Sequence, residues 1–207
     1  MLLPVALAAS AQAEWKIVSA ESEPGHGQIE HRHVIVEDAA EGQRVTADVA
    51  IFSAKSTALR VIDNPDGQSL AAVMKREKCA CGVNGGYFDT EFKPIGLRVV
   101  DHTTFSGLRR ARLITGILLQ SDRGIDVVRV GEVSHTKKIL AAVQSGPFLV
   151  EGDKRIQGLN DSQSARRTFV GLTRNERALL GVCSDVSLGQ LANILATAPI
   201  VADSRIR

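Results

Sequence analysis

Residues 165–196 read ARRTFVGLTRNERALLGVCSDVSLGQLANILA, and this stretch combines three secondary-structure signals. Apolar residues alternate or run together along 168–173 and 178–183, which predicts two strands. The polar residues 174–177 between them predict the turn of a hairpin. Apolar side chains then recur at helical spacing, so residues 187–196 are predicted to form an amphipathic helix. A hairpin followed directly by a helix indicates strands that pair with their neighbours along the chain.

The same signals continue toward the N-terminus. A helix is predicted over 69–78, with Ser69 as its N-cap. Further strands are predicted at 31–37, 44–52, 59–62, 80–83, 113–120, 125–130, 140–143 and 148–151. Many strands with hairpin connections and few helices predict an α+β domain with a mainly antiparallel or mixed β-sheet and two or three helices.

Composition limits the class of protein. The chain has 207 residues, of which 44% are hydrophobic and 23% charged, and these values are typical of one globular domain. A net charge of +2 and an aromatic content of 4% give no basic stripe with interleaved aromatics, so a nucleic-acid partner is not expected.

The N-terminal sequence MLLPVALAASAQAEW predicts export. Its apolar run is followed by Ala11-Gln12-Ala13, a small-x-small pattern that signal peptidases accept. We therefore predict a signal peptide at 1–13, a single domain at 14–207, and a periplasmic or secreted location. The alternative is a buried N-terminal helix or strand. The run is too short for a stable membrane span, which needs about 20 apolar residues.

The three cysteines leave two alternatives open. Cys79 and Cys81 are too close along a strand to bridge each other comfortably, but either could pair with Cys183 in an oxidising compartment. We favour the second possibility, in which the cysteines form no bridge and are small buried residues on a central strand.

Two glycine-containing turns could contact a ligand. Asn84-Gly85-Gly86 follows a predicted strand, and the two glycines would let the backbone approach a ligand closely, with Asp89 as a nearby carboxylate. Gln144-Ser145-Gly146-Pro147 offers an amide and a hydroxyl that could bind a sugar hydroxyl or a phosphate oxygen. Ordinary solvated turns use the same residues.

Arg166-Arg167-Thr168 precedes the predicted strand 168–173. An arginine beside a threonine hydroxyl suits phosphate or carboxylate binding. Because neighbouring residues of a strand face opposite ways, only one of the two arginines can enter a site, and we predict Arg167. The histidines, among them His31 and His33, form no convincing metal site, so no metal ligand is predicted, and the sequence leaves the cofactor unknown.

These segments, in this order, resemble the phosphodiester glycosidase family over roughly residues 34–196. The matching segments are NGGYFD (84–89), PIGL (94–97), QSGPFLV (144–150), ARRTFVGLT (165–173), ALLGVCSD (178–185) and SLGQLANIL (187–195). The resemblance implies an exported α+β enzyme that hydrolyses a sugar-1-phosphodiester in cell-envelope or exopolysaccharide material.

The resemblance also implies residue roles. Asn84, Gly85 and Gly86 match the family's Asn-Gly-Gly loop, and Arg167 with Thr168 matches its Arg-Thr pair. Likewise, Gln144, Gly146 and Pro147 match its Gln-x-Gly-Pro turn, with Ser145 between them. Arg167 and the glycine amides would hold the phosphodiester anion, and Asp89 is the local candidate to stabilise an oxocarbenium-like state.

The sequence departs from the family in one respect. Members typically follow the last helix with a strand ending in Leu-Asp-Gly-Gly, whereas this chain continues as TAPIVADSRIR over 197–207 and contains no Asp-Gly-Gly. The difference predicts reduced activity, an unpaired strand edge and lower stability. It also leaves open a non-catalytic periplasmic module that binds an anionic saccharide.

Overall fold

The structure, a computed structural model, describes residues 14–133 and 138–201. In chain order, its strands and helices are β1 (Trp15–Pro24), β2 (Glu30–Asp38), β3 (Arg44–Ser53), α1 (Leu70–Glu77), β4 (Arg98–Val100), β5 (Thr103–Ser106), β6 (Gly116–Ser121), β7 (Gly124–Arg129), β8 (Ile139–Ser145), β9 (Val150–Glu151), β10 (Lys154–Arg155), β11 (Ala165–Leu172), β12 (Arg177–Val186) and α2 (Leu188–Thr197). The predicted signal peptide at 1–13 lies outside the described residues.

The strands form two five-stranded sheets and one short hairpin. Sheet 1 has the order β1-β2-β3-β12-β11, sheet 2 has the order β5-β4-β8-β6-β7, and β9 pairs with β10. Every strand pair in the described part of the chain is antiparallel. The α+β prediction is thus confirmed in its antiparallel form, with two α-helices and a predominance of strand.

Sheet 1 is closed by a pairing between distant parts of the sequence. Strand β3 pairs with β12 from Ala47 opposite Cys183 to Ser53 opposite Arg177. Sheet 2 is built from the chain between these two strands. Strand β11 lies at one edge of sheet 1.

The side chains of β3 show how the layers form. Val45, Val49 and Ile51 point to the side where α2 packs, and they are buried there together with Leu191 and Ile194. On the other face of sheet 1, Phe52 and Leu180 pack with Ile125 of sheet 2. The order of layers is therefore helix, sheet 1 and sheet 2.

Both predicted helices are present, and their N-caps explain where they begin. The Ser69 hydroxyl accepts the Ala72 amide at 3.3 Å, as predicted. Ser187 caps α2 with a reciprocal contact to Gln190, which satisfies two main-chain groups at the helix start. Within the described residues, neither helix is long and apolar enough to cross a bilayer.

Two predicted strands are wrong. Residues 59–62 are irregular, because the Leu59 amide donates to the Gln120 side chain rather than to a neighbouring strand. Residues 80–83 are also irregular, since α1 ends at a left-handed Lys78 and the Cys79 amide bonds to Met74 O at 2.9 Å.

Besides the two-residue strand β10, three strands escaped prediction. β1, β4 and β5 each carry a polar or short pattern, yet they acquire regular partners in the fold. Strand β1 pairs with β2 over nearly its whole length, although most of its residues are exposed. Partner strands rather than local apolar alternation define these elements.

All three cysteines are free thiols. Cys183 is buried on an interior strand among residues that pack against α2, whereas Cys81 packs against the apolar layer between the two sheets. Sheet 1 separates them, so the considered pairing between these two residues is not formed. Cys79 and Cys81 lie in the irregular segment after α1 and not on a strand, which corrects the sequence prediction.

Thiol reactivity should follow this burial. Desolvation raises the pKa of both Cys81 and Cys183, so less of each thiol is ionised at pH 8, and alkylation requires the thiolate. We expect iodoacetamide to label both residues at least about tenfold more slowly in the folded protein than in urea, as measured by peptide mass spectrometry. Labelling of folded Cys183 at the unfolded rate would contradict its placement.

A second prediction concerns the cross-strand pair Phe169–Gly181. A Cβ at position 181 would lie 2.2 Å from the Phe169 ring, which is itself buried. Gly181→Ala should therefore lower the free energy of unfolding by about 1–3 kcal/mol, because the ring has to move out of a packed core. Urea denaturation measures the change. Gly107→Ala is the matched control, since a Cβ there meets nothing within 4 Å; equal effects at the two positions would contradict the packing.

Candidate functional site

Three segments that are far apart in the sequence meet where sheets 1 and 2 adjoin. The Thr168 hydroxyl on β11 donates to Oδ1 of Asn84. The Tyr87 hydroxyl donates to the Gly146 carbonyl at 2.9 Å. The Asn84 loop (residues 84–89) is thus attached to β11 on one side and to the end of β8 on the other.

Gly86 allows the closest approach in this arrangement. A Cβ at this position would lie 2.5 Å from the Gln144 carbonyl oxygen and 3.1 Å from Cγ2 of Val143. Gly85 is less constrained, because its Cβ would be 3.7 Å from the same valine methyl. The second glycine of the pair is therefore required by backbone packing against β8.

Gln144 is a buried hub, with 1% of its surface exposed. Its Oε1 accepts the amides of Leu97 at 2.8 Å and Arg109 at 3.0 Å, and its Nε2 donates to the carbonyls of Arg109 and Ile114. These four bonds use the whole capacity of the amide. The side chain predicted to bind substrate joins two loops, the one before β4 and the one between β5 and β6. Gly96 fits against it because a Cβ there would be 2.6 Å from Oε1.

Arg167 requires a correction. Its Nε donates to Val186 O at 3.2 Å, and its terminal nitrogen donates to Gln163 O at 2.8 Å. Thr168, the next residue on the same strand, points the other way, toward Asn84. The predicted convergence of the Arg167 guanidinium with the Asn84 loop therefore does not occur, because adjacent residues of a strand face opposite sides of the sheet.

Asp89 shapes its own turn. Its Oδ1 accepts the amides of Glu91 and Lys93, each at 2.9 Å, and the residue is exposed. The turn also stacks the Phe88 and Phe92 rings, whose centroids are 5.6 Å apart. The catalytic role of Asp89 stays a prediction.

At the end of β8, the main chain shapes the site more than the side chains do. Ser145 is half-buried in β8 opposite Gly116 of β6. Gly146 adopts φ +144, and a Cβ there would lie 2.9 Å from the Thr115 amide, so glycine fits this position best. The roles predicted for Ser145 and Gly146 in substrate binding likewise stay predictions.

Next to the Thr168–Asn84 contact, sheet 1 carries an open polar groove of about 510 Å³. We call it the Arg166 groove; its lining residues are Arg44, Thr46, Asp48, Arg166, Val182, Cys183, Ser184 and Asp185. Val182 lies opposite Thr168 in the β11–β12 register, so the groove adjoins the Asn84 loop. Sequence reasoning assigned Arg166 to the surface, although its spacing of two residues from Thr168 was a signal for the shared face.

The groove also carries a histidine–aspartate contact. Oδ1 of Asp48 lies 2.8 Å from His33 Nδ1 and 3.5 Å from His31 Nε2. In the described part of the chain, no group of three or more histidine, cysteine or acidic side chains is arranged to hold a metal ion. The arrangement is thus suited to hydrogen bonding and ion pairing with a polar ligand.

Comparison with known proteins identifies a family and solved structures with a similar fold. The sequence profile of the phosphodiester glycosidase family matches residues 77–200, which is more than half of the chain and includes the Asn84 loop, the end of β8 and strand β11. No curated protein sequence matches the chain.

The structure is similar to the catalytic domain of zebrafish N-acetylglucosamine-1-phosphodiester alpha-N-acetylglucosaminidase, solved in a form auto-inhibited by its pro-peptide. The TM-score is 0.52 at 12% sequence identity, and the alignment covers 96% of this chain and 71% of the zebrafish chain. At this identity, the similarity establishes the fold.

The Gln144 hub generates a prediction about stability. Gln144→Met keeps the approximate side-chain volume but leaves two amides and two carbonyls without their partner in a buried site. We expect a loss of at least about 3 kcal/mol in the free energy of unfolding, since each buried group left unsatisfied costs about 1–3 kcal/mol. Chemical denaturation measures it, with Gln163→Met at an exposed position as control. Similar stability of the two variants would show that the hub is dispensable.

Proposed function

The chain belongs to the phosphodiester glycosidase family, and we propose that it hydrolyses a sugar-1-phosphodiester, releasing the sugar from a phosphorylated alcohol. Family membership already indicates a hydrolase of the glycosidase kind. The nature of the substrate and the residues that contact it are our inference.

The single observation that carries the proposal is the hydrogen bond between Thr168 and Asn84. It joins the Asn-Gly-Gly loop to the Arg-Thr strand, while Gly86 packs on the main chain of Gln144. Three of the family's characteristic segments therefore share one location. The hydroxyl of Thr168 and the amide of Asn84 are exposed or half-buried there, so both are accessible to a polar ligand.

The chemistry fits a site with these groups. Cleavage at the anomeric carbon passes through an oxocarbenium-like state, which carboxylates stabilise, and most glycosidases use two of them. Asp48 and Asp185 line the Arg166 groove beside the Asn84 loop, and Asp89 lies within the loop. We propose that carboxylates from this set assist the departure of the phosphate and the attack of water.

The setting of the reaction is also a proposal. The signal-like sequence at 1–13 and the family resemblance support export to the periplasm or the exterior, with glycosylated cell-envelope or exopolysaccharide material as the source of substrate. A sugar phosphodiester or another anionic saccharide is the partner that we propose.

A second candidate is non-catalytic binding of an anionic saccharide. The observation that favours it is the position of Asp89, because one of its oxygens already accepts two amides of its own turn. Such a module would bind the same ligand and form no product.

The proposal is tested by incubating the full chain with N-acetylglucosamine-1-phospho-methyl-mannoside and related diesters, and quantifying the free sugar by chromatography. We expect turnover, and a loss of about ten- to a hundredfold in kcat/KM for both Asn84→Ala and Thr168→Val. Each variant removes a polar group that would bond to the charged diester; such a hydrogen bond contributes about 1.5–3 kcal/mol, and about 1.36 kcal/mol is tenfold in rate.

Asn175→Ala in the exposed β11–β12 turn is the matched control and should keep wild-type turnover. Saturable binding of the diester with no product after long incubation would contradict the enzyme proposal and support the non-catalytic binding module. Two results would rule out the site at Asn84 and Thr168: the absence of both binding and turnover, or equal turnover in all variants.

A further inference from the structure

We propose that Arg166, rather than Arg167, binds the phosphate of the ligand, and that the Arg166 groove is the subsite for a phosphorylated sugar. This inference rests on the proposed function. It concerns the arginine that lines the groove beside the Asn84 loop and whose charge is not paired within the described part of the chain.

The direction of the side chains comes from the pleat of sheet 1. On β3, Thr46 and Asp48 alternate with Val45, Ala47 and Val49, which are buried on the α2 side. Thr46 and Asp48 therefore face away from α2, and both line the groove. On β11, Thr168 alternates with Phe169, which is also buried on the α2 side, so Thr168 faces the groove side as well.

Arg166 lies on the same side because it is two residues from Thr168, and side chains two apart in a strand share a face. The β11–β12 register shifts at this point, where the single residue Arg166 lies opposite Ser184 and Asp185, so the extra residue belongs to β12. As a result, Arg166 lines the groove, whereas Arg167 donates to the main chain at Val186 and Gln163.

The charges in the groove show why Arg166 is available. Arg44 is paired with Glu37, with 2.6 Å between Nε and Oε2, and Asp48 is bonded to His33. In the part of the chain that the structure describes, the Arg166 guanidinium has neither a hydrogen bond nor an ion pair. A guanidinium with five free donors on an open surface is suited to bidentate binding of a phosphate.

The remaining groups select for a sugar phosphate over a simple polyanion. Asp185 is exposed at the groove, and carboxylates accept hydrogen bonds from sugar hydroxyls but repel further negative charge. Ser184 Oγ accepts the Thr46 amide at 3.1 Å, so its own hydrogen can still be donated. The volume of about 510 Å³ is in the range of small-molecule sites.

The experiment measures binding of N-acetylglucosamine 1-phosphate and of inorganic phosphate to the full chain by titration calorimetry. We expect Arg166→Ala to weaken binding of the sugar phosphate at least about tenfold, and Arg166→Lys to restore part of it, because lysine keeps the charge without the fork. Arg123→Ala removes one positive charge from the exposed β6–β7 turn and should leave binding unchanged.

Arg167→Ala separates the two arginines. Because Arg167 is half-buried and bonds to two carbonyls, its removal should lower Tm while leaving sugar-phosphate binding within about twofold of wild type. Unchanged binding by Arg166→Ala, or loss of binding by a folded Arg167→Ala, would overturn the inference. So would equal losses from Arg166→Ala and Arg123→Ala, which indicate general charge attraction.

The outcome is distinct from that of the enzyme proposal. If the protein shows no turnover but its binding of the sugar phosphate depends on Arg166, the proposed subsite is supported and the proposed hydrolysis is contradicted. If the protein hydrolyses the diester with a KM that Arg166→Ala does not change, the proposed hydrolysis is supported and the proposed subsite is contradicted.

Discussion

The buried amide of Gln144 holds two loops against the end of β8, beyond the reach of the strand ladder. Its four hydrogen bonds join the chain at Leu97, Arg109 and Ile114, and its own carbonyl lies against Gly86. Unpaired polar groups in such a place are costly, so the loops have one arrangement in which all four bonds are made. The Asn84 loop takes its position from this arrangement, and the contact with Thr168 then sets its distance from sheet 1.

Much of the fold follows from local sequence pattern. Alternating apolar residues predicted β2 and β3 and the β6–β7 and β11–β12 hairpins, and N-caps with helical spacing predicted α1 and α2. The pattern failed where backbone partners are remote. At Leu59 the main chain bonds to a side chain about sixty residues away, and β1 is regular only because β2 lies beside it. Such partners leave no trace in the local alternation of apolar and polar residues.

The site shows the same division. The glycine-containing segments could be located from sequence, because close backbone approach restricts the residue type. The side chains that face the site could not be assigned in the same way. Arg166 and Arg167 are chemically identical neighbours, and the choice between them depends on which face of the sheet Thr168 occupies, which the contact with Asn84 shows. From the sequence, Gln144 was interpreted as a ligand-binding residue. Its side chain is buried by four main-chain groups from other parts of the chain, and the local sequence does not show them.

The pairing of β3 with β12 also has a consequence for biosynthesis. Strand β3 ends at Ser53 and its partner begins at Arg177, so the ribosome has to add more than a hundred residues before the ladder can close. At translation rates of about 5–20 residues per second, β3 waits roughly ten seconds with one edge unpaired. During that interval its apolar row of Val45, Val49 and Ile51 is available to other nascent chains. Chaperones that shield exposed strands would therefore act on this protein during synthesis, before its core exists.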